Sequence, residues 1–381
     1  MSTPTSPVAP ARPVSSAGRI DRIRATLAER GGPSAMIVST PSNIRWATGF
    51  TGSAGTLVVG PTGAWLVTDG RYTEQAARQL AASGVGDDVE VVTATTVSAQ
   101  QTSIVGLLAG VGAVGAEAGH MSHRQWTTFA DGLGLVAVDG VVESLRRHKD
   151  ADEIAWIAYA CAIADRALGE SLHTLVPGVS EREVRDELEA RMRRLGADGP
   201  SYETIVASGP DNGAMPHHRP SHRRLVDGDL VVIDVGALVA GHHSDMTRSF
   251  VVGAPPTEQR HSFDVVAPAQ AAGRAAVAPG VPTIDVDAAC RAVFAAEGLE
   301  ELFTHGTGHG VGLDIHEEPF LGRSSTAVLA EGDVVTVEPG LYRVGFGGLR
   351  IEDLVEVTGS GHRVLTTFPK DDPCPPSPPT T

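Results

Sequence analysis

The sequence predicts an α/β domain over residues 18–145, followed by an α+β domain over residues 152–368 built from two similar halves. Three observations carry that prediction. Helical and strand-like apolar patterns alternate through the first third of the chain. A charged run at 143–153, ESLRRHKDADE, separates that part from the remainder. Beyond it the chain repeats at a distance of 102 residues: Pro177-Gly178-Val179 returns as Pro279-Gly280-Val281, Val184 as Val286, and Gly196 as Gly298. In each copy a helix, a Pro-Gly turn, a second helix and a Gly stop precede strands, which is the pattern of a duplicated half-domain. Two such halves facing each other would set their strands around a central site.

In the first domain, Ile20, Ile23 and Leu27 recur at helical spacing. Ala35-Met36-Ile37-Val38 reads as a buried strand. Thr56-Leu57-Val58-Val59 and Ala64-Trp65-Leu66-Val67 read as a hairpin around Gly60-Pro61-Thr62-Gly63. Asp69 and Arg71, in Thr68-Asp69-Gly70-Arg71-Tyr72, are read as a structural turn. In the second domain a helix is expected over 152–175, stopped by Pro177-Gly178. Ser180 with Glu183 forms a capping box for a helix reaching about residue 195. Further helices are expected over 257–278 and 283–297. Residues 1–17 and 369–381, rich in Pro, Ser and Thr, are expected to be disordered tails.

Composition narrows the function. The 381 residues carry a formal charge of −16, which argues against nucleic acid as a partner. No run of 18 apolar residues exists, so no membrane helix is expected, and the N-terminus lacks the apolar core of a signal peptide. The expectation is a cytoplasmic protein. The three cysteines, Cys161, Cys290 and Cys374, are widely spaced; the first two lie in helical patterns and read as reduced core thiols.

The chemistry is concentrated in Leu230 to Phe250, LVVIDVGALVAGHHSDMTRSF. An apolar run ends on Asp234, and a second extended run leaves the following turn from Asp245 onward. This reads as two antiparallel strands joined by a loop, each carrying one carboxylate. A carboxylate in an apolar strand is costly unless it is hydrogen-bonded, paired or bound to a cation. One such Asp can be a cap or a structural acceptor; two on facing strands suggest a shared cation. Downstream come His305-Gly306-Thr307-Gly308-His309, then Thr336-Val337-Glu338-Pro339-Gly340, then Gly348-Leu349-Arg350-Ile351-Glu352. Asp234, Asp245, His309, Glu338 and Glu352 thus form an ordered set of four carboxylates and one imidazole. Such an oxygen-rich set suits paired Mn²⁺ or similar ions better than one structural zinc. Arg350 and Glu352 are two apart, so they face the same way on a strand, and Arg350 is placed to hold a ligand carboxylate.

This set, with its surrounding motifs, resembles the metallopeptidase family with the pita-bread fold, which includes aminopeptidase P, prolidase (Xaa-Pro dipeptidase) and methionine aminopeptidase. The likeness runs from about Gly18 to about Phe368. The segments Asn43-Ile44-Arg45-Trp46-Ala47-Thr48-Gly49-Phe50 and Thr68-Asp69-Gly70-Arg71-Tyr72 resemble the amino-terminal domain of its aminopeptidase P-like members, similar in fold to that of the creatine-hydrolysing relative. In the family that domain caps the active site and helps build a dimer or tetramer.

The resemblance implies two divalent ions, Mn²⁺ with Co²⁺ or Zn²⁺ as alternatives. Asp234 would bind one ion, Asp245 and Glu352 would bridge, and His309 and Glu338 would complete the second. It further implies Glu338 as proton acceptor from the attacking water. His217 (in Met215-Pro216-His217-His218) and His316 (in Asp314-Ile315-His316-Glu317) would hydrogen-bond the substrate, with His305 lining the pocket. The activity implied is removal of the first residue from peptides with proline second, the aminopeptidase P reaction. The alternatives are a prolidase restricted to dipeptides, for which Arg323 is a candidate anchor of the free carboxylate, and a metal-free hydrolase of the creatinase type. The complete ligand set argues against the last, and also against a non-catalytic peptide-binding module.

Overall fold

The computed structural model describes residues 7–370 and 372. They divide into two compact units, one of them Ala11–Arg146 and the other containing the chain from Arg147 onward.

The first unit is a six-stranded mixed sheet. Its strands lie in the order Glu90–Thr93, Ala64–Thr68, Gly55–Val59, Ala35–Val38, Ala113–Ala116 and Gly134–Ala137. The expected hairpin forms, with Val59 opposite Ala64 and Gly60 N–H closing onto Gly63 O at 2.8 Å. Ile37, Val58, Val67, Ile104 and Phe129 pack into one core. Helix Arg19–Glu29 buries Ile20, Ile23 and Leu27, the three residues whose spacing predicted it. Asp69 is gripped by Arg71 through its backbone N–H (2.9 Å) and guanidinium (2.7 Å), a closed local turn. Of the tail expected over 1–17, residues 1–6 lie outside the described set, but order begins before Gly18. Ser16 is buried; its N–H reaches Ser83 O at 2.8 Å and its hydroxyl reaches Trp46 O at 3.0 Å. Backbone and side-chain partners inside the unit hold this short polar residue down despite its unstructured composition.

The second unit shows the duplication in its hydrogen bonds. Helices Ala151–Ser171 and Glu181–Arg194 pack as a pair, and Thr257–Ala276 and Thr283–Ala296 pack as another. Between the helices of each pair the same turn recurs: Gly178 N–H donates to Leu225 O (2.9 Å), and Gly280 N–H to Leu329 O (2.8 Å). Both glycines sit at positive φ, 93° and 84°, as do the stops Gly196 and Gly298 at 109° and 69°, so a side chain at any of the four would be strained. Each half then opens its central strand on an aspartate. Asp229 accepts from Val226 N–H (2.8 Å) and pairs with Arg223 (2.6 Å); Asp333 accepts from Ala330 N–H (2.8 Å) and pairs with Arg147 (2.6 Å). The strands opened in this way are Leu230–Asp234 and Val334–Val337. The first ends on Asp234 and the second runs directly into Glu338, so two of the candidate ligands are equivalent positions of the repeat.

Leu230–Asp234 is the centre of a three-stranded sheet between Thr247–Val251 and Ile205–Ser208. Val334–Val337 is the centre of a five-stranded sheet with Gly308–Gly310 and Asp353–Thr358 at its sides. One core joins Leu168, Leu188, Val231, Ile233 and Phe250; the other joins Phe263, Phe294, Val335, Val337 and Leu349. Alternate residues of Leu230–Asp234 enter different clusters, as a strand buried on both faces requires. One expectation is corrected here. The chain between the two aspartates is no simple loop: Ala237–Val239 and His242–His243 pair as a small hairpin that joins Gly199–Pro200 in a separate sheet. The next strand starts only at Thr247, so Asp245 sits in the short connection ahead of it.

Both sulfhydryls in helical patterns, Cys161 and Cys290, are buried and unbridged, and Cys374 lies outside the described residues. No helix among the described residues is long and apolar enough to cross a membrane. The expected C-terminal tail from 369 is described only as far as Lys370 and at Asp372. Lys370 is anchored, its ammonium meeting Asp353 and lying 2.8 Å from Gln270 Oε1.

Candidate metal centre

Asp245, His309 and Glu352 are all buried, and their ligand atoms lie within 4.8 Å of one another. The other two expected ligands border this group. His309 Nε2 is 3.6 Å from Asp245 Oδ2 and 3.5 Å from Glu338 Oε1. The Tyr202 hydroxyl touches Asp234 Oδ1 and lies 2.5 Å from Asp245 Oδ1. The five residues come from five separate stretches: four stand at a strand end or in a break between strands, and His309 is the middle residue of the short strand Gly308–Gly310, where the register shifts.

The state of His309 shows what such a site requires. Its Nδ1 lies 3.1 Å from Gly310 O, and a carbonyl can only accept, so Nδ1 carries the proton. Burial lowers its pKa, so the ring is neutral. Its Nε2 therefore presents a lone pair to two carboxylate oxygens, an arrangement that is repulsive until a cation lies between them. The carboxylates carry the same message. Burial pushes Asp245 and Glu352 well above the usual carboxylate range, and each is raised further by neighbouring carboxylates. Tyr202 has a single O–H proton for two aspartates. Burial and the charges of Asp234, Asp245 and Glu352 keep its own pKa high. A divalent cation would satisfy every one of these groups, and the donor set, four carboxylates and one imidazole, matches a hard ion.

Around this cluster the structure places residues that orient the carboxylates. Arg350 is buried. Its guanidinium donates to Asp234 Oδ2 (2.7 Å), Thr247 Oγ1 (2.9 Å), Tyr342 OH (2.8 Å) and Pro216 O (3.3 Å), with Glu338 Oε2 at 4.0 Å. Thr247 passes its own proton to Glu352 Oε2 at 2.7 Å. Thr336 accepts from His309 N–H (3.0 Å) and reaches Glu338 Oε1 (3.3 Å).

His305 Nδ1 meets Gly306 O at 2.7 Å and its Nε2 faces Tyr342 OH at 3.0 Å; burial first, then the Arg350 charge, lower its pKa to about 3. His316 packs edge-on to His309 with ring centres 4.4 Å apart. His217 follows Pro216, whose carbonyl accepts from Arg350 at 3.3 Å, so its loop abuts the group around Arg350. All nine expected site residues are therefore gathered. Tyr202, Thr247, Thr336 and Tyr342 were not anticipated. A signal did exist for two of them, since a chain with four tyrosines places Tyr202 and Tyr342 here.

Glu338 gives a pH test. Burial and the Asp234 charge raise its pKa from 4.5 to about 7 against the pull of Arg350. In the metal-stripped chain the folded state then keeps a proton that the unfolded state has already lost. Stability should fall as pH rises from about 4.5 to about 7, by roughly 3 kcal/mol from this group. Thermal melts in chelator across that window measure it. Divalent ions should reverse the trend, because they bind the ionised form. A metal-stripped melting point that climbs through this window would contradict the assignment.

The comparisons with known proteins identify the family and its fold. Residues 155–359 match metallopeptidase family M24, and residues 19–148 match the creatinase/prolidase N-terminal domain. The chain is 42% identical over 229 residues to the Xaa-Pro dipeptidase of Pyrococcus furiosus, covering 60% of this chain and 66% of that protein. Among solved structures it resembles the Xaa-Pro dipeptidase from Bacillus anthracis (TM-score 0.89, 35% identity, 94% of this chain and 99% of that one). It also resembles the X-Pro aminopeptidase from Thermotoga maritima (TM-score 0.83, 30% identity, 92% and 98%).

Proposed function

The chain belongs to metallopeptidase family M24, and from that membership we propose that it is a dinuclear metal-dependent dipeptidase cleaving Xaa-Pro dipeptides. The observation that carries the metal chemistry is the lone pair of His309 Nε2 held 3.5–3.6 Å from two carboxylate oxygens. The dipeptidase reading replaces the aminopeptidase P reading as the first choice because the relatives at 42% and 35% identity are Xaa-Pro dipeptidases, while the aminopeptidase neighbour stands at 30%. Arg323, the candidate anchor for a free carboxylate, is largely exposed and paired with Glu300 at 2.6 Å, so that role is not assigned to it.

In this reading Asp234, Asp245, His309, Glu338 and Glu352 hold two divalent ions, with Mn²⁺ the best match to so many oxygen donors. When bound, such ions supply Lewis acidity that polarises the scissile carbonyl and lowers the pKa of a water. The chain's own groups do the rest. Arg350, Thr247 and Tyr202 fix the carboxylates by their hydrogen bonds to Asp234, Glu352 and Asp245. Glu338 takes the proton of the attacking water and returns it to the proline nitrogen, which has no N–H of its own in the peptide bond and must gain one to leave. His217 and His316, from opposite halves of the repeat, donate hydrogen bonds to the substrate and to the oxygen on which charge develops.

Chelator-stripped protein should be inactive, and Mn²⁺ should restore hydrolysis of an Xaa-Pro dipeptide but not of an Xaa-Pro-Yaa tripeptide. Cleavage of the tripeptide would return the assignment to aminopeptidase P. Cleavage of neither, with metal bound, would mean that the substrate class is wrong.

A further inference from the structure

We propose that Glu181 is a positioning residue that holds the loop carrying His217 in its working shape; the proposal rests on the peptidase reading. Glu181 opens the helix Glu181–Arg194 and is fully buried. Its Oε1 accepts from Ser208 N–H (2.9 Å), Ser208 Oγ (2.6 Å) and Asn212 Nδ2 (3.0 Å). Its Oε2 accepts from Ser221 N–H (2.9 Å) and Ser221 Oγ (2.7 Å), and faces His218 Nε2 at 2.9 Å. A carboxylate cannot donate, so His218 Nε2 carries the proton and gives it to Glu181. A buried carboxylate without partners would be expensive, and here the donors come from both ends of one loop.

His217 lies between two anchored neighbours. Pro216 O accepts from Arg350, which also grips Asp234, while His218 is tied to Glu181. Within the loop the backbone bonds are short-range: Gly213 N–H to Gly209 O, Met215 N–H to Asn212 O, and His218 N–H to Met215 O. Glu181 at one side and Arg350 at the other hold the loop against the body of the unit, joined by Arg182, whose N–H donates to Ser221 O (3.3 Å) and whose guanidinium donates to Pro220 O (3.2 Å), and by Arg223, which donates to Ser208 Oγ (2.8 Å).

The repeat supplies a control. The position equivalent to Glu181, 102 residues later, is Thr283, which likewise opens a helix. Its hydroxyl hydrogen-bonds Ser325 Oγ (2.6 Å) and Ala327 O (3.1 Å). The shared turn, in which Glu181 N–H donates to Arg223 O and Thr283 N–H to Ala327 O, is built in both halves from the backbone. The fold thus starts this helix without a carboxylate. The carboxylate occurs in the half whose loop bears His217.

The test is a double-mutant cycle on the full chain loaded with Mn²⁺ and assayed with an Xaa-Pro dipeptide. Glu181→Gln keeps the volume but turns an amide N–H₂ toward existing donors. It should lower turnover roughly ten- to a hundredfold with both metals retained. In a His217→Ala background the same change should cost less than about threefold, because the group it positions is gone. Hydrogen exchange over residues 209–221 of the metal-free chain should quicken about tenfold or more, while the helix Thr283–Ala296 stays unchanged. An equal loss in both backgrounds, or an unchanged loop, overturns the proposal. If Glu181→Gln does not fold, Ser221→Ala, which removes one donor, is taken through the same cycle with the same criteria. If the wild type cleaves no Xaa-Pro peptide, the substrate reading fails and the exchange experiment alone decides whether Glu181 holds the loop.

Discussion

Asp245→Asn should abolish metal-dependent hydrolysis and, at the same time, stabilise the metal-stripped chain. Asp245 sits in the middle of the ligand set, 3.6 Å from His309 Nε2 and within ligand distance of Glu352. The change removes one carboxylate oxygen and the negative charge that this set would offer to a divalent ion, and activity should drop by about a thousandfold or more, the loss of roughly 4 kcal/mol of transition-state stabilisation. The stability effect has the opposite sign. Burial and the charges of Asp234 and Glu338 make the ionised form of Asp245 unfavourable, and the fold tolerates it through Tyr202 and Arg350. Asn keeps the shape and the contact with Tyr202 but carries no charge, so the metal-free variant should gain about 1–3 kcal/mol, a few degrees in melting temperature. The gain should widen as pH rises above the ordinary aspartate value of 3.8, because the unfolded chain gives up this proton there while burial opposes ionisation in the fold. Metal content by mass spectrometry and melting curves in chelator read both effects. A variant that melts lower than wild type without metal would show that Asp245 contributes favourable bonding rather than repulsion, and the metal assignment would lose its electrostatic basis.

How much of the site is legible in the sequence depends on how local each signal is. Asp234 stands out because an apolar run stops on a charge, and the repeat stands out because its turns need glycine at positive φ, a requirement that one residue type satisfies. Asp245 is recognisable as a candidate ligand but reads as part of the wrong element, since the hairpin before it is held by Gly199–Pro200, some forty residues upstream. Tyr202, Thr247 and Tyr342 escape notice for the same reason. Thr247 looks like an ordinary strand threonine until Arg350 and Glu352, 103 and 105 residues away, close on its hydroxyl. Glu181 is hidden more completely. An acid in the first turn of a helix is what the helix dipole favours, and nothing nearby shows that its oxygens serve Ser208, Asn212, His218 and Ser221 instead. Candidate ligands are legible residue by residue, whereas the groups that hold side chains and loops in place become visible only when distant segments meet.

His316→Ala should cut turnover about a hundredfold or more while leaving the metal content and KM nearly unchanged. The ring stands edge-on to His309 but is outside the ligand cluster around Asp245. Its backbone is held independently of the ring. The strand Glu317–Leu321 begins at the next residue, Glu317 lies opposite Gly310 in the sheet, and its carboxylate is fixed by Lys149 at 2.5 Å, a pair almost entirely buried. Truncating the imidazole should therefore remove a donor without moving the loop. Burial, with the imidazoles of His309 and His217 close by, lowers its pKa, so at neutral pH it is an uncharged N–H donor. Such a donor matters most when negative charge grows on the carbonyl oxygen, so the loss belongs in kcat. His316→Gln, which restores an N–H near the same place, should recover part of the rate. If metal is lost instead, the ring's main role is to pack His309 into its ligating position, and the donor function would pass to His217 alone.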